Sequence, residues 1–221
     1  MAKSGTKAGM ARPAAQGAQG TRDALIRGAI DALKEQGFAG ASAREIARRA
    51  GCNQGLVFYH FGSVTNLLLA ALDEVSATRH IHYQAAVGRA EGLSELVDAA
   101  EEVFEDDLDA GHIAVLAEMI AGASATPGLA AEVAARIAPW REFAAETLGG
   151  VLSDSALSAV VEPEVAAHAV VALYLGLEML AHLDGDRTAA LALFARAREL
   201  TMLLETLGGT PGGEPGRREE P

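Results

Sequence analysis

The stretch SAREIARRAGCNQGLVFYHF, residues 42–61, collects hydrogen-bond donors at a spacing that suits recognition rather than bond-breaking. Ser42, Arg44, Tyr59 and His60 are donors matched to phosphate oxygens, and contacts of that kind set register more than sequence preference. Gln54 can reach a base edge from the first turn of a short helix, and Gly55 lets the backbone approach a duplex closely. Across the whole chain there is no nucleophile, base and orienter grouping, no zinc motif, no phosphate loop and no paired Glu-x-x-His. An enzyme built on a helical bundle is therefore disfavoured, while a protein-interaction module using the same helices stays as a less favoured alternative.

Such donors need a scaffold, and the local pattern supplies one. Ser42 followed by Glu45 reads as a capping box opening a helix over 43–50, with Ile46, Ala47 and Ala50 on its apolar side. Gly51 ends it, and Asn53 caps a third helix running to about Phe61. Two short helices joined by a tight glycine-containing turn make a helix-turn-helix, whose second helix lies in the major groove. Ile46, Cys52 and Val57 are expected to face inward. The supporting first helix is read as 22–36, with Thr21 as its N-cap and Gly37 as its left-handed stop.

Further along, Ser63 caps a fourth helix over about 64–88. Five more follow, over 93–110, 112–123, 127–149, 163–183 and 187–207, marked by Gly111, Pro127, Gly149-Gly150, Pro163 and Asp184-Gly185. No strand signal and no internal repeat interrupts them. The fold class is all-α: a basic, disordered arm over 1–20, a three-helix head over 21–79, a helical bundle over 80–207 and a disordered tail over 208–221.

Charge divides the chain unevenly. Residues 1–62 hold nine Lys/Arg and four Asp/Glu, a net +5, which leaves −17 for residues 63–221. A polyanion would meet the small basic end only, because the acidic body repels phosphate. The first twenty residues contain no continuous apolar run, so a secretory leader is not expected. One cysteine, Cys52, fits a reducing compartment, and the chain reads as cytoplasmic. In the most apolar segment, 165–183, the longest run free of charge and histidine is nine residues, against the roughly 20 a spanning helix needs. That segment is read as a helix buried inside a bundle.

Residues 41–68, ASAREIARRAGCNQGLVFYHFGSVTNLL, resemble the DNA-binding segment of the TetR (tetracycline repressor) family: a capped helix with Ile-Ala, an Ala-Gly turn, then Tyr-His-Phe before a Gly-Ser cap and a leucine. The likeness extends over 21 to about 79. It implies DNA contacts at Ser42, Arg44, Gln54, Gly55, Phe58, Tyr59 and His60, with Asn53 completing the set beside the cap. Two positions depart from the family pattern. Phe58 stands where tyrosine is usual and is expected to pack against sugar or core, and Val64 stands where lysine is usual. The arm residues Lys3, Lys7 and Arg12 are placed to offset these losses.

The resemblance further implies a homodimer joined through 163–183 and 187–207, bound to a palindromic operator and released by a small-molecule effector. Among helices built of Ala, Val and Leu, the larger or polar residues Phe104, His112, Met119, Trp140, Phe143, Tyr174, Glu178 and His182 are the candidate effector lining. An apolar or aromatic ligand is expected, and no cofactor. Glu178 and His182 lie four apart on one helical face; without a third ligand at a recognisable spacing they read as a mutually bonded pair rather than a metal site. Repressor is the expected role, with activator as the alternative.

Overall fold

A computed structural model describes residues 12–153, 156–159 and 161–208. Among these the chain forms nine α-helices, one 3₁₀ turn at Ala156–Ala159 and no strand: α1 (Arg12–Gly40), α2 (Ala43–Arg49), α3 (Gly55–Phe61), α4 (Val64–Val87), α5 (Leu93–Ala110), α6 (His112–Ala123), α7 (Leu129–Leu152), α8 (Pro163–Asp184) and α9 (Thr188–Gly208). The contacts fall into two compact units. The first runs through His80 and includes Ala110–Ile137; the second comprises Ile81–Asp109 and the chain from Ala138 onward.

In the first unit, α1 begins at Arg12, ten residues before its expected start. Thr21 is therefore not an N-cap. It lies inside the helix, where its Oγ1 donates to the carbonyl of Gly17, the back-bond a mid-helix threonine makes when it has no end to cap. Residues 12–20 are accordingly helical rather than part of a disordered arm, while 1–11 and the expected tail from 209 lie outside the described residues. Gly37, at φ 72° and ψ 178°, breaks α1, a conformation open only to glycine. Just beyond the break, the Phe38 amide donates to Glu118 Oε2 at 2.8 Å.

Leu25, Ala29, Ala32 and Leu33 of α1 are wholly buried, as are Leu67 and Ala71 of α4 and Val115 and Met119 of α6. Burying each of the larger of these side chains contributes roughly 1.5–3 kcal/mol relative to exposure. Helix α1 packs against both α2 and α6. Gly28 permits the first contact, because a Cβ there would sit 2.9 Å from the Ile46 carbonyl oxygen. Lys34 Nζ donates to the last carbonyl of α5, Ala110 O, at 2.8 Å, a cation at a helix C-terminus.

In the second unit the core is aromatic. Tyr174 lies between two clusters, one containing Phe104, Ala181, Ala190 and Phe194, the other Tyr83, Ala86 and Val103. Tyr174 meets Phe104 at 5.6 Å and Tyr83 at 5.7 Å, both edge to face, the geometry ring quadrupoles favour. Arg198 of α9 ion-pairs with Asp98 and Glu101 of α5. Helix α7 starts at Leu129 instead of 127 and passes through Gly149-Gly150 to Leu152, so that glycine pair does not end it.

The expectation that α8 is buried inside a bundle does not hold for the single chain. Only Ala167, Glu178 and Ala181 of this helix are buried. Val165, Leu173, Leu180 and Leu183 are exposed, and α9 likewise exposes Leu193, Leu200, Met202 and Leu203. By length and composition α8 would suffice to cross a membrane, although Glu178 within it is fully buried. Sequence periodicity could not distinguish a helix covered by its own chain from one left uncovered.

Candidate nucleic-acid interface

The turn between α2 and α3 is built from the inside outward. Ile46 and Val57 are wholly buried, Ala47 nearly so, and Cys52 half-buried, where burial raises its thiol pKa. Helix α2 is capped as expected on one side, the Glu45 amide donating to Ser42 Oγ at 3.3 Å. The return half of the capping box is missing: the Ser42 amide bonds to the Gly40 carbonyl, and the Glu45 carboxylate points elsewhere. Gly51 takes φ 66° in the turn, and the Cys52 amide closes it on the Ala47 carbonyl at 2.9 Å. The Asn53 side chain then accepts from the Gly55 amide at 2.7 Å and starts α3.

On this frame, Ser42, Arg44, Asn53, Gln54 and Gly55 are all exposed. Tyr59 is 79% exposed, the highest of any large apolar or aromatic side chain described, and Phe58 is 53% exposed. Phe58 is thus not a core residue; its ring stands on the same uncovered helix as Tyr59. His60 is half-buried, its ring edge-on to Tyr59 at 5.0 Å. Val64 is half-buried at the start of α4, which is capped by Ser63 Oγ accepting from the Asn66 amide at 3.0 Å. Lys3 and Lys7 lie outside the described residues.

One feature of this surface escaped the sequence reading. Glu45 Oε1 accepts from Arg49 Nε at 2.7 Å and from Gln36 Nε2 at 3.1 Å, and both its oxygens take a forked pair from Arg48 at 2.6 and 2.8 Å. Arg49 also meets Glu35 of α1 at 2.9 Å. Hydrogen bonds from Arg48 and then Arg49 pull the Glu45 carboxyl down to about 2. The signal was present as a glutamate three and four residues before two arginines. A second contact, Arg22 stacked 5.1 Å over the Phe61 ring, ties α1 to the end of α3.

The candidate effector residues separate. Phe104, Trp140, Phe143, Tyr174 and Glu178 fall in the second unit, where Trp140 and Phe143 pack on the Tyr83 cluster. Trp140 meets Tyr83 edge to face at 5.2 Å. Burial above all raises the Tyr174 phenol well beyond its ordinary value, with Tyr83, Glu178 and Asp107 adding to the effect. His112 and Met119 belong to the first unit, His112 half-buried at the start of α6 and Met119 wholly buried. Glu178 is buried while His182 is exposed, so the two do not share one environment. No group of three or more metal-binding side chains occurs among the described residues.

Comparisons with known proteins bear on the head directly. Residues 25–71 match the family model described as bacterial regulatory proteins, tetR family. An HTH-type transcriptional repressor of Mycobacterium tuberculosis is 42% identical over 64 residues, 28% of this chain and 34% of the relative. The matched segment therefore spans about a third of that relative's length. Over the longer span the likeness is one of fold. The regulatory protein TetR from Rhodobacter sphaeroides superposes with a TM-score of 0.69 at 20% identity, covering 82% of this chain and 98% of its own. A multidrug binding protein, EbrR, solved with malachite green, gives 0.60 at 24% identity, covering 83% and 96%. The head thus matches the tetR-family model over residues 25–71, and the longer span shares the fold of these solved structures.

Proposed function

We propose that this chain is a cytoplasmic, homodimeric transcription regulator that represses by binding a palindromic operator and leaves it when a small apolar or aromatic effector binds. The observation that carries this reading is the uncovered face of α3. Gln54, Gly55, Phe58 and Tyr59 stand exposed on a helix whose opposite side is pinned by buried Val57. A major groove takes such a helix, with Gln54 at its leading end reading adenine and Tyr59, His60, Ser42 and Arg44 fixing it to the phosphates. Selection of bound sites from random duplex DNA tests it: a palindrome with half-sites about 34–36 Å apart is expected, and failure to enrich any sequence would end the proposal.

Dimerisation follows from the same requirement, since one short helix reads only a few base pairs. The exposed leucines and Met202 on α8 and α9 supply an apolar face for a second copy. EbrR is named as a multidrug binding protein, and the packed aromatics Tyr83, Trp140, Phe143 and Tyr174 are the candidate effector contacts here. Induction then needs an effector that prefers the DNA-incompetent arrangement, and the linkage is reciprocal. With a coupling of about 1–3 kcal/mol, an effector found by thermal shift should bind roughly 5- to 150-fold more weakly when operator is present. Equal affinities would exclude induction.

A further inference from the structure

Arg44, Arg48 and Arg49 all lie on α2, and Arg44 and Arg48 are four residues apart, on one helical face. By charge alone both should grip phosphate. Their surroundings differ: Arg44 is exposed with no ion pair among the described residues, whereas Arg48, its side chain 66% exposed, is forked onto Glu45. Arg49, only 13% exposed, is held by Glu45 and Glu35 together. Two guanidinium groups and two carboxylates cancel, so the cluster of Arg48, Arg49, Glu45 and Glu35 carries no net charge.

We infer that Glu45 is a specificity-determining positioning residue: it occupies Arg48 in place of a DNA phosphate, leaving Arg44 as the phosphate grip of α2 and holding down affinity for non-operator DNA. This rests on the DNA-binding reading above. The pairing withholds Arg48 because it is bidentate, and charge-assisted fork contacts are the strong ones among exposed ion pairs. Arg49 would stay docked without Glu45, since Glu35 still holds it from α1. Arg48 would then be released toward whatever Arg44 touches. Sequence-independent affinity is set by phosphate neutralisation, each contact adding about 0.9 to the magnitude of the negative slope of log affinity against log salt, the quantity called the slope below. A repressor gains nothing from a grip that every duplex rewards equally.

The test uses the full chain and a random-sequence 40-base-pair duplex, with binding followed by fluorescence anisotropy between 50 and 200 mM salt. Per head engaged, R44Q should lower the slope by about 0.9 and R48Q should leave it unchanged. E45Q should raise it by about 0.9, so that its affinity gains about 3.5-fold more than the parent's as salt falls from 200 to 50 mM. The double variant E45Q/R48Q should return to the parent slope. An R48Q slope that falls as far as that of R44Q overturns the inference, and does so even if E45Q does not fold. So does an E45Q slope equal to the parent's, or an E45Q/R48Q variant that keeps the increase. A parent protein without salt-dependent duplex binding instead overturns the DNA-binding reading itself.

Discussion

The turn between α2 and α3 and the outer faces of α8 and α9 both leave large side chains uncovered, with opposite chemistry. On the head, exposed Tyr59 and Phe58 are accompanied by Ser42, Arg44, Asn53 and Gln54, and the backbone beneath them is fixed by caps and buried Ile46 and Val57. On α8 and α9 the large exposed side chains include leucine, valine and methionine, recurring from Val165 to Leu183 and from Leu193 to Leu203. Polar groups around an uncovered ring point to a wet, charged partner that needs orienting contacts. Uncovered leucines in number point to a partner that excludes water and closely resembles a protein core.

That contrast is most easily broken on the apolar side. Leu173→Glu with Leu180→Glu puts two carboxylates seven residues apart on the face of α8, at positions 55% and 58% exposed in the single chain. If a second copy covers them, burial without a partner for either charge should raise the dimer dissociation constant by ~100-fold or more. Sedimentation velocity should then show a monomer at concentrations where the parent is dimeric, and operator affinity should fall with it. The same two substitutions should leave the melting behaviour of the head unaltered.

On the polar side the expected losses are smaller and differ in kind. Gln54→Ala should cost roughly 1–3 kcal/mol on the cognate site and nothing on a site altered at the base pair it reads. Titration against both duplexes separates this from a general loss of affinity. Behind the surface, Gly28→Ala tests whether the head is as rigid as its packing suggests. The added Cβ would meet the Ile46 carbonyl at 2.9 Å and the Ala50 amide at 3.3 Å, both backbone atoms that cannot swing aside. A destabilisation of about 1–3 kcal/mol is expected, seen as a lower midpoint in urea.

How much was legible in the sequence differs between the same two regions. Helices α2, α3 and α4 are legible to within a residue or two because their punctuation is local: Ser42, Asn53 and Ser63 each act on backbone two or three residues away, and Gly51 acts through its own positive φ. Thr21 misled for the same reason, being a good cap residue with no helix end to cap. The exposure of α8 was not legible, since an apolar helix has the same composition whichever neighbour covers it. Nor did counting charges reveal that Arg48 and Arg49 are already neutralised, because Glu35 reaches Arg49 from another helix. The candidate effector set was chosen by size and polarity, without the tertiary information that separates His112 and Met119 from Tyr174.

The smallest expected effect concerns the cluster that holds the head's first helices together. The folded Glu45 carboxyl titrates at about 2, below its ordinary value near 4.5, because Arg48 and Arg49 favour its charged form. Glu35 is lowered in the same direction, chiefly by its hydrogen bond to Arg49 and then by that group's charge. A carboxyl depressed by folding contributes stability that is fully present above its unfolded pKa and lost as pH falls through the folded one. The contribution of Glu45 should therefore be constant above about pH 5 and disappear between about pH 4.5 and 2. Comparing Glu45→Gln with the parent by thermal melts across that range isolates it, since every other carboxylate is common to both. The gap in melting temperature should be widest near neutrality and close steadily on acidification. A gap that stays the same down to pH 2 would mean that Glu45 supports the head through shape and hydrogen bonding alone, with its charge kept for control of Arg48.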